Sequence, residues 1–305
     1  MNRIMILAVL FGGCGDGGGG GAEGSSSSSG SGTSSAAIKL FDAHMHLMPA
    51  DDAEVVYARV VAAGIEGIAP LGIQDASALS GAHPGTVVPF GHIDRHPVTR
   101  EALLTLATVR DLQRKLEAGL IRGIGEIPIV HAPTPTGPSG GDRNPGDHPV
   151  LLQVYALAAA FRVPVNVHIE HASVEELVVA LEAAPATTFV WEHIGDAPPE
   201  TVAPLLAAYP NLLCDISCRN PFYDRAQPVE LQSLTAADGT LEPEWRDLFE
   251  RHPDRFLFGT DIGPPERVEI IDMVVAYYRD VLGQLSPGTA ARIAGGNARR
   301  LFGLE

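Results

Sequence analysis

A (β/α)8 barrel, an α/β fold closed by an extra C-terminal helix, is the architecture this sequence predicts, and three observations predict it. From Ile38 onward, short β-branched or apolar runs alternate with longer stretches of helical periodicity, the mark of parallel βαβ units. Eight such runs can be counted. The stretch from residue 38 to 305 also has the length of one such barrel and an ordinary globular composition.

Taken in order, the first strand is Ile38 to Ala43, followed by a helical pattern from Asp51 to Ala63. The second, Gly67 to Gly72, leads into the shortest and least regular helical stretch, Asp75 to Ser80. Val87 to Ile93 and the Leu-rich run Arg100 to Ala118 make the third unit, and Arg122 to Ile127 with Val150 to Phe161 the fourth. Val163 to His168 pairs with Ser173 to Ala183, and Thr188 to His193 with Glu200 to Ala208. Leu212 to Ile216 is the seventh strand and Phe256 to Asp261 the eighth, the latter followed by Arg267 to Leu282. A last helix, Pro287 to Phe302, has the position to close the barrel's bottom or pack on its flank. His131 to Pro149 and Arg219 to Pro243 are longer than ordinary connections; both follow strands, which places them on the face where barrels carry chemistry.

Composition narrows the function classes. The chain is 45% hydrophobic and 19% charged, which excludes disorder throughout. A formal net charge of −16 disfavours nucleic acid as a partner. Three cysteines make no disulfide framework. No apolar run beyond the first dozen residues approaches the roughly 18 needed to span a bilayer, which excludes a polytopic membrane protein.

The first 37 residues read differently from the rest. Arg3, the apolar run Ile4 to Phe11 and then Gly12-Gly13-Cys14 follow the order of a secretory signal. The segment resembles a bacterial lipoprotein signal, with Cys14 as the lipidated residue; Phe11 stands where leucine is usual, and the greasy core is short. Residues 15–37, rich in Gly and Ser, cannot bury apolar area and suit a flexible, disordered tether. The expectation is a lipoprotein of the cell envelope that meets the membrane only through this anchor. The alternative is a misplaced start or a disordered N-terminus on a cytoplasmic protein.

Candidate chemistry gathers at strand ends. His44 and His46 are two apart at the end of the first strand, so both side chains point into the barrel mouth. A lone His-x-His is weak, but Glu126, His168, His193 and Asp261 end strands four, five, six and eight. Strand ends of a barrel converge on its axis. Crowding imidazoles and carboxylates there is costly unless a divalent cation compensates. Histidine and carboxylate ligands suit Zn²⁺, with Mn²⁺ possible. Such an ion lowers the pKa of its water to about 7 and yields hydroxide at neutral pH. Asp261 beside that water would take its proton and pass it on to the leaving group.

The stretches Phe41-Asp42-Ala43-His44-Met45-His46, Gly123-Ile124-Gly125-Glu126, Val165-Asn166-Val167-His168, Trp191-Glu192-His193 and Phe258-Gly259-Thr260-Asp261 resemble the amidohydrolase superfamily. The ending Ala294 to Gly303, and Tyr209-Pro210-Asn211-Leu212 before strand seven, are similar to its amidohydrolase-related branch, which also contains decarboxylases and lactonases. Glu126 on strand four resembles TatD-type hydrolases, where such a residue bridges two metals. The resemblance implies that His44, His46 and Asp261 hold one ion. His168 and His193 then hold a second, with Glu126 between the two. In the one-ion alternative, His168 joins the first set, His193 becomes an acid or orienting group, and Glu126 accepts a hydrogen bond from behind.

Other polar residues carry less. Asp42 and Asn166 lie two residues before ligands and are expected to orient them. Glu170 follows His168 as an acceptor or as part of a helix turn. Glu192 and Met45, by strand alternation, face the helices. His92, Asp94, Arg95 and His96 read as a solvated loop, and His83, His131, His148 and His252 have no assignable partner. Cys214 and Cys218 read as core cysteines. Arg143, Arg219, Asn220 and Tyr223, in the two long loops, are the candidates to contact a polar or anionic substrate, the arginines otherwise forming surface salt bridges.

Three functions are open at this stage. The first is a metal-dependent hydrolase of a small ester, lactone, amide or phosphoester. The second is a decarboxylase using a similar site, and the third a non-catalytic metal- or ligand-binding lipoprotein. Nothing in the sequence sets the oligomeric state.

Overall fold

Leu40–Met45 (β1) and Ile65–Pro70 (β2) are fully or almost fully buried runs that pair in parallel, with Ala53–Ala62 (α1) between them. Asp52 caps α1 by accepting the backbone N–H groups of Glu54 and Val55. The computed structural model describes residues 38–72, 74–132, 141–223 and 233–304. Cys14 and the proposed tether lie outside the described residues.

The strand expected from Val87 to Ile93 is present only as bridges, Ile68 to Val87 and Gly91 to Ile124. Pro89 lacks the N–H that a regular ladder needs. The segment still carries the sheet, because Val88 N–H donates to Ile68 and Gly91 N–H to Gly123, each at 2.9 Å. Ser77–Ala82 (α2) precedes it. Leu106–Glu117 (α3) follows, starting later than the periodicity suggests because Thr105 takes the N-cap and bonds Thr108 N–H at 3.2 Å.

Ile124–His131 (β3) runs past the expected end, and Asp142–Arg143 (β4) folds back on it antiparallel. Glu126 therefore sits inside its strand, and His131 terminates it. After Pro149–Phe161 (α4), the strands Val165–Ile169 (β5), Phe189–Trp191 (β6), Leu212–Asp215 (β7) and Phe256–Leu257 (β8) add in parallel in that order. Val174–Ala183 (α5) and Pro199–Ala208 (α6) link them. Past β8 the chain continues along β1: Ala43 N–H donates to Phe258 at 2.9 Å, Asp261 N–H to His44 at 2.7 Å and His46 N–H to Ile262 at 2.7 Å. The last strand thus meets the first, and the ring closes.

Pro243–Arg251 (α7) was not expected from the sequence, although Trp245, Leu248 and Phe249 give it a buried stripe at helical spacing. Pro265–Glu269 (α8) and Ile271–Gly283 (α9) divide the single helix expected there. The final segment is broken as well, into Pro287–Ala291 (α10), a wide turn over Arg292–Gly296 and Asn297–Leu301 (α11). At the turn the chain presses on β1: a Cβ on Gly295 would lie 2.8 Å from the Lys39 carbonyl. Phe258 N–H bonds the Ile293 carbonyl at 2.9 Å. Phe302 then inserts among Phe41, Phe90, Val88 and Leu257, sealing the barrel interior at the end opposite the mouth. A larger apolar layer, including Val60, Leu112, Tyr155, Leu181 and Tyr278, fills the space between strands and helices.

Candidate metal centre

The two histidines at the end of β1 are oriented from behind. His46 Nδ1 donates to the Leu71 carbonyl at 2.9 Å, and His44 Nδ1 to Asp215 Oδ2 at 3.0 Å. A proton on Nδ1 leaves Nε2 as the nitrogen that can offer a lone pair to a cation. The two Nε2 atoms face each other at 3.4 Å, and Asp261 Oδ1 lies 3.5 Å from that of His44 and 3.1 Å from that of His46. Three electron-rich atoms converging in a buried place require a positive charge among them, which is the donor set a divalent cation needs. On this ground the residues fit the metal that the sequence suggests.

Asp42 and Asn166 do not orient the ligand rings as expected. Asp42 is fully buried and instead accepts His44 N–H, Thr260 N–H and the Thr260 hydroxyl, clasping β1 to the segment after β8. Burial pushes its carboxyl up to about 7 despite these donors. The Asn166 side chain packs against Gly125, where an added Cβ would meet it at 2.6 Å. The orienting carboxylate is Asp215, which sequence reasoning missed. Beyond His44, it accepts His193 N–H at 3.0 Å and the Ser217 N–H and hydroxyl. Its signal was an acidic residue at the end of an otherwise apolar strand.

A second group lies beside the first. His168 Nδ1 donates to Glu126 Oε1 at 2.6 Å, and Glu126 Oε2 is 3.4 Å from His46 Nε2, so Glu126 stands between the two sets of imidazoles. His193 has its Nδ1 at 2.7 Å from Ser217 Oγ, and its ring lies 4.7 Å from that of His44 and 5.1 Å from that of His168. All six residues singled out at strand ends therefore meet in one place.

Glu192 corrects the expectation that it faces the helices. It is fully buried at the site, with Oε2 3.8 Å from His168 Nδ1. Strand alternation stops at Trp191, because His193, Ile194 and Gly195 take left-handed backbone angles. The turn is held tightly: Trp191 Nε1 donates to the Ile169 carbonyl at 2.7 Å, and a Cβ on Gly195 would lie 2.3 Å from the Trp191 ring. His131, which had no assignable partner, stacks on His168 with ring centres 3.8 Å apart. Glu170 accepts Ala132 N–H at 2.6 Å and lies 3.7 Å from His168 Nε2, so it serves the site from its edge.

Asp261 is pinned from outside by residues the sequence reading did not connect to it. Arg267 donates to its Oδ2, and Cys218 Sγ is 2.7 Å from the same oxygen. Cys218 is thus a wall of the site as well as a core cysteine. Burial opposes ionisation of Asp261, but Arg267 together with His44 and His46 holds it well below the usual carboxylate range. Burial likewise disfavours the Glu126 anion, yet the His168 hydrogen bond outweighs it. Glu192 goes the other way: burial and the neighbouring Glu126 push its carboxyl well above the usual range.

The expected substrate contacts are placed unevenly. Arg219 is buried, with Nη1 donating to the Ala197 carbonyl at 3.1 Å and its guanidinium 4.9 Å from the Trp245 ring centre. Tyr223 is buried too; its hydroxyl donates to the Thr260 carbonyl at 2.8 Å and its ring underlies Arg267 at 4.3 Å. Asn220 accepts Phe222 N–H at 3.0 Å. Tyr223 thus braces the segment that carries Asp261, Arg219 the turn after His193, and Asn220 its own loop. Arg143 is exposed on β4, at the rim. His92 and Asp94 pair at 3.2 Å and Arg95 reaches Asp142 at 2.8 Å, a loop held by its own charges.

The sequence model of the amidohydrolase family matches residues 41–304, and the chain belongs to that family. No curated protein matches the sequence. Among solved structures, a TatD homologue from Escherichia coli K12 is similar with a TM-score of 0.60 and 16% identity, over 87% of this chain and 98% of that one. A dihydroorotase from Campylobacter jejuni gives 0.56 and 15%, over 88% and 84%. The 2,6-dihydroxybenzoate decarboxylase from Rhizobium gives 0.56 and 15%, over 87% and 99%. These likenesses establish the barrel. The family comprises enzymes that characteristically bind a divalent metal, in keeping with the donor set described.

Proposed function

We propose that the chain is a metal-dependent hydrolase of a small ester, lactone, amide or phosphoester. The observation that carries this reading is the convergence of His44 Nε2, His46 Nε2 and Asp261 Oδ1, with both histidine Nδ1 atoms already committed to acceptors. A divalent cation held there, zinc in first place and manganese in second, supplies Lewis acidity that acidifies water and polarises the scissile oxygen. The protein's own groups do the rest. Asp215 and the Leu71 carbonyl fix the two rings. Asp261 presents Oδ1 toward the imidazoles as the position that accepts a proton from attacking water, while Arg267 and Cys218 prevent its rotation. With a single ion bound, His193, braced by Ser217, would be the group that protonates the leaving group. Arg143 at the rim is the proposed contact for an anionic substrate.

Decarboxylation is the second reading, and the Arg267 contact favours it. A guanidinium on Oδ2 keeps Asp261 ionised and weakens it as a base, which matters less to ligation than to proton transfer. Incubating the metal-loaded protein with ester, lactone, amide, phosphoester and carboxylate substrates, scoring proton release against carbon dioxide release, decides between them. Activity should vanish on chelation and return with zinc or manganese. Turnover that survives complete metal removal sinks both readings.

For the N-terminus, the proposal is a lipidated Cys14 with residues 15–37 as tether, which places the enzyme in the cell envelope. Among the described residues, no helix is long and apolar enough to cross a membrane. Cys14→Ser should move the protein to the soluble fraction without changing turnover; a native chain that is already soluble with Met1 intact contradicts the anchor.

A further inference from the structure

Glu192 is the least explained group in the molecule. It is fully buried, and among the described residues neither of its carboxylate oxygens has a hydrogen-bond partner. An ionised carboxylate buried without donors is among the costliest arrangements a fold can hold, and proteins normally compensate it with a cation or a donor network. The surroundings offer ligand-type atoms without a hydrogen bond to it: Glu126, His168, Glu192 and His193 each bring one such atom into a space where all lie within 4.8 Å of one another. His168 Nδ1 is 2.6 Å from Glu126 and 3.8 Å from Glu192, so its ring nitrogen points between the two carboxylates.

We propose that Glu192 is a ligand to a second cation, completing a site of two carboxylates and two imidazoles with Glu126, His168 and His193. The left-handed turn at His193 to Gly195 makes this possible, because it turns two successive residues, Glu192 and His193, toward the same space where a regular strand would send them to opposite faces. The carboxylate count gives the site a chemical bias. Two anionic oxygen donors favour a harder divalent ion than an all-histidine set would, so manganese should compete better with zinc here than at the His44, His46 and Asp261 position. The proposal rests on metal dependence, and its test separates the two.

Metal-depleted wild-type protein, Glu192→Gln and Glu192→Asp are titrated with zinc and, separately, manganese, following heat of binding and ions retained per chain. Thermal unfolding is recorded with and without each metal. Glu192→Gln is isosteric and removes only the charge. Expected for the wild type are two equivalents. In Glu192→Gln one of them should weaken at least about tenfold while the other is unchanged, with Glu192→Asp intermediate. The metal-free Glu192→Gln protein should unfold at a higher temperature than the metal-free wild type, because an unpartnered buried carboxylate is gone, and should gain less from metal. A single equivalent that is lost in Glu192→Gln also supports the ligand, and removes only the two-ion arrangement. Unchanged binding of one or two ions in Glu192→Gln overturns the Glu192 assignment while leaving metal dependence standing. No binding by the wild type overturns both.

Discussion

The two ends of the barrel are built on opposite principles. At the bottom, the Phe302 ring lies 5.6 Å from that of Phe41 and 5.7 Å from that of Phe90, inside an apolar cluster. At the mouth, imidazoles and carboxylates occupy the same axis, buried almost as deeply, and hold one another by hydrogen bonds and charge. The bottom supplies stability through area removed from water. The mouth costs stability in the absence of a cation, and holds its geometry because the closed ring below leaves the strand ends little freedom.

Variants at the two ends should therefore fail in different ways. The largest expected effect on turnover is at Asp261: Asp261→Asn should lower kcat/KM at least about 10²-fold, the usual scale for one proton-transferring group, with far-ultraviolet circular dichroism unchanged. Turnover within a factor of a few of the wild type at full metal content would overturn this role for Asp261. Next, Asp215→Asn should weaken the tighter metal about 10- to 100-fold, because an amide offers one acceptor where the carboxylate serves both His44 and the donors of His193 and Ser217. Equilibrium dialysis against a zinc buffer reads this directly.

The opposite behaviour is expected below. Phe302→Ala should cost about 3 kcal/mol of unfolding free energy in a urea titration and leave the activity of the folded fraction intact. The smallest effect is at the helix α10, where Glu250 accepts Ser286 N–H at 2.6 Å and the Thr289 hydroxyl at 2.6 Å. The Ser286 N–H, then Thr289, hold the Glu250 carboxyl below its usual range. Its contribution is therefore present above the unfolded pKa of about 4.3 and lost as pH falls through the lowered folded value. Glu250 lies at the surface, so Glu250→Gln should remove less than about 1 kcal/mol at neutral pH, a difference that shrinks as acid titrates the folded carboxyl.

What the sequence disclosed about the site followed from topology. Strand ends in a parallel barrel converge, so counting polar residues at those ends found His44, His46, His168, His193 and Asp261 without any knowledge of contacts. Glu126 was found although its strand runs on to His131. The residues that were missed share one property, in that their role is visible only through a partner distant in the chain. Asp215 lies 171 positions from the His44 ring it orients, and Cys218 43 from the Asp261 oxygen it touches. Glu192 was misassigned for a local reason, since alternation of faces holds only while the backbone stays extended. The strand read at Val87 to Ile93 forms only bridges because Pro89 interrupts its ladder, and α7 went unread although Trp245, Leu248 and Phe249 mark its buried face.

The Asp42 clasp bears on how the chain arrives at this structure. It joins residues 218 apart in sequence, tying the first strand to the segment that follows the last. Contacts of such separation carry the largest loop-closure entropy and form late in folding. His44 and His46 lie on one side of that seam and Asp261 on the other, so the half of the site they share can assemble only when the ring is sealed. A chain still growing from its N-terminus carries both histidines long before it carries their carboxylate, and acquires the complete donor set only when its final strand docks.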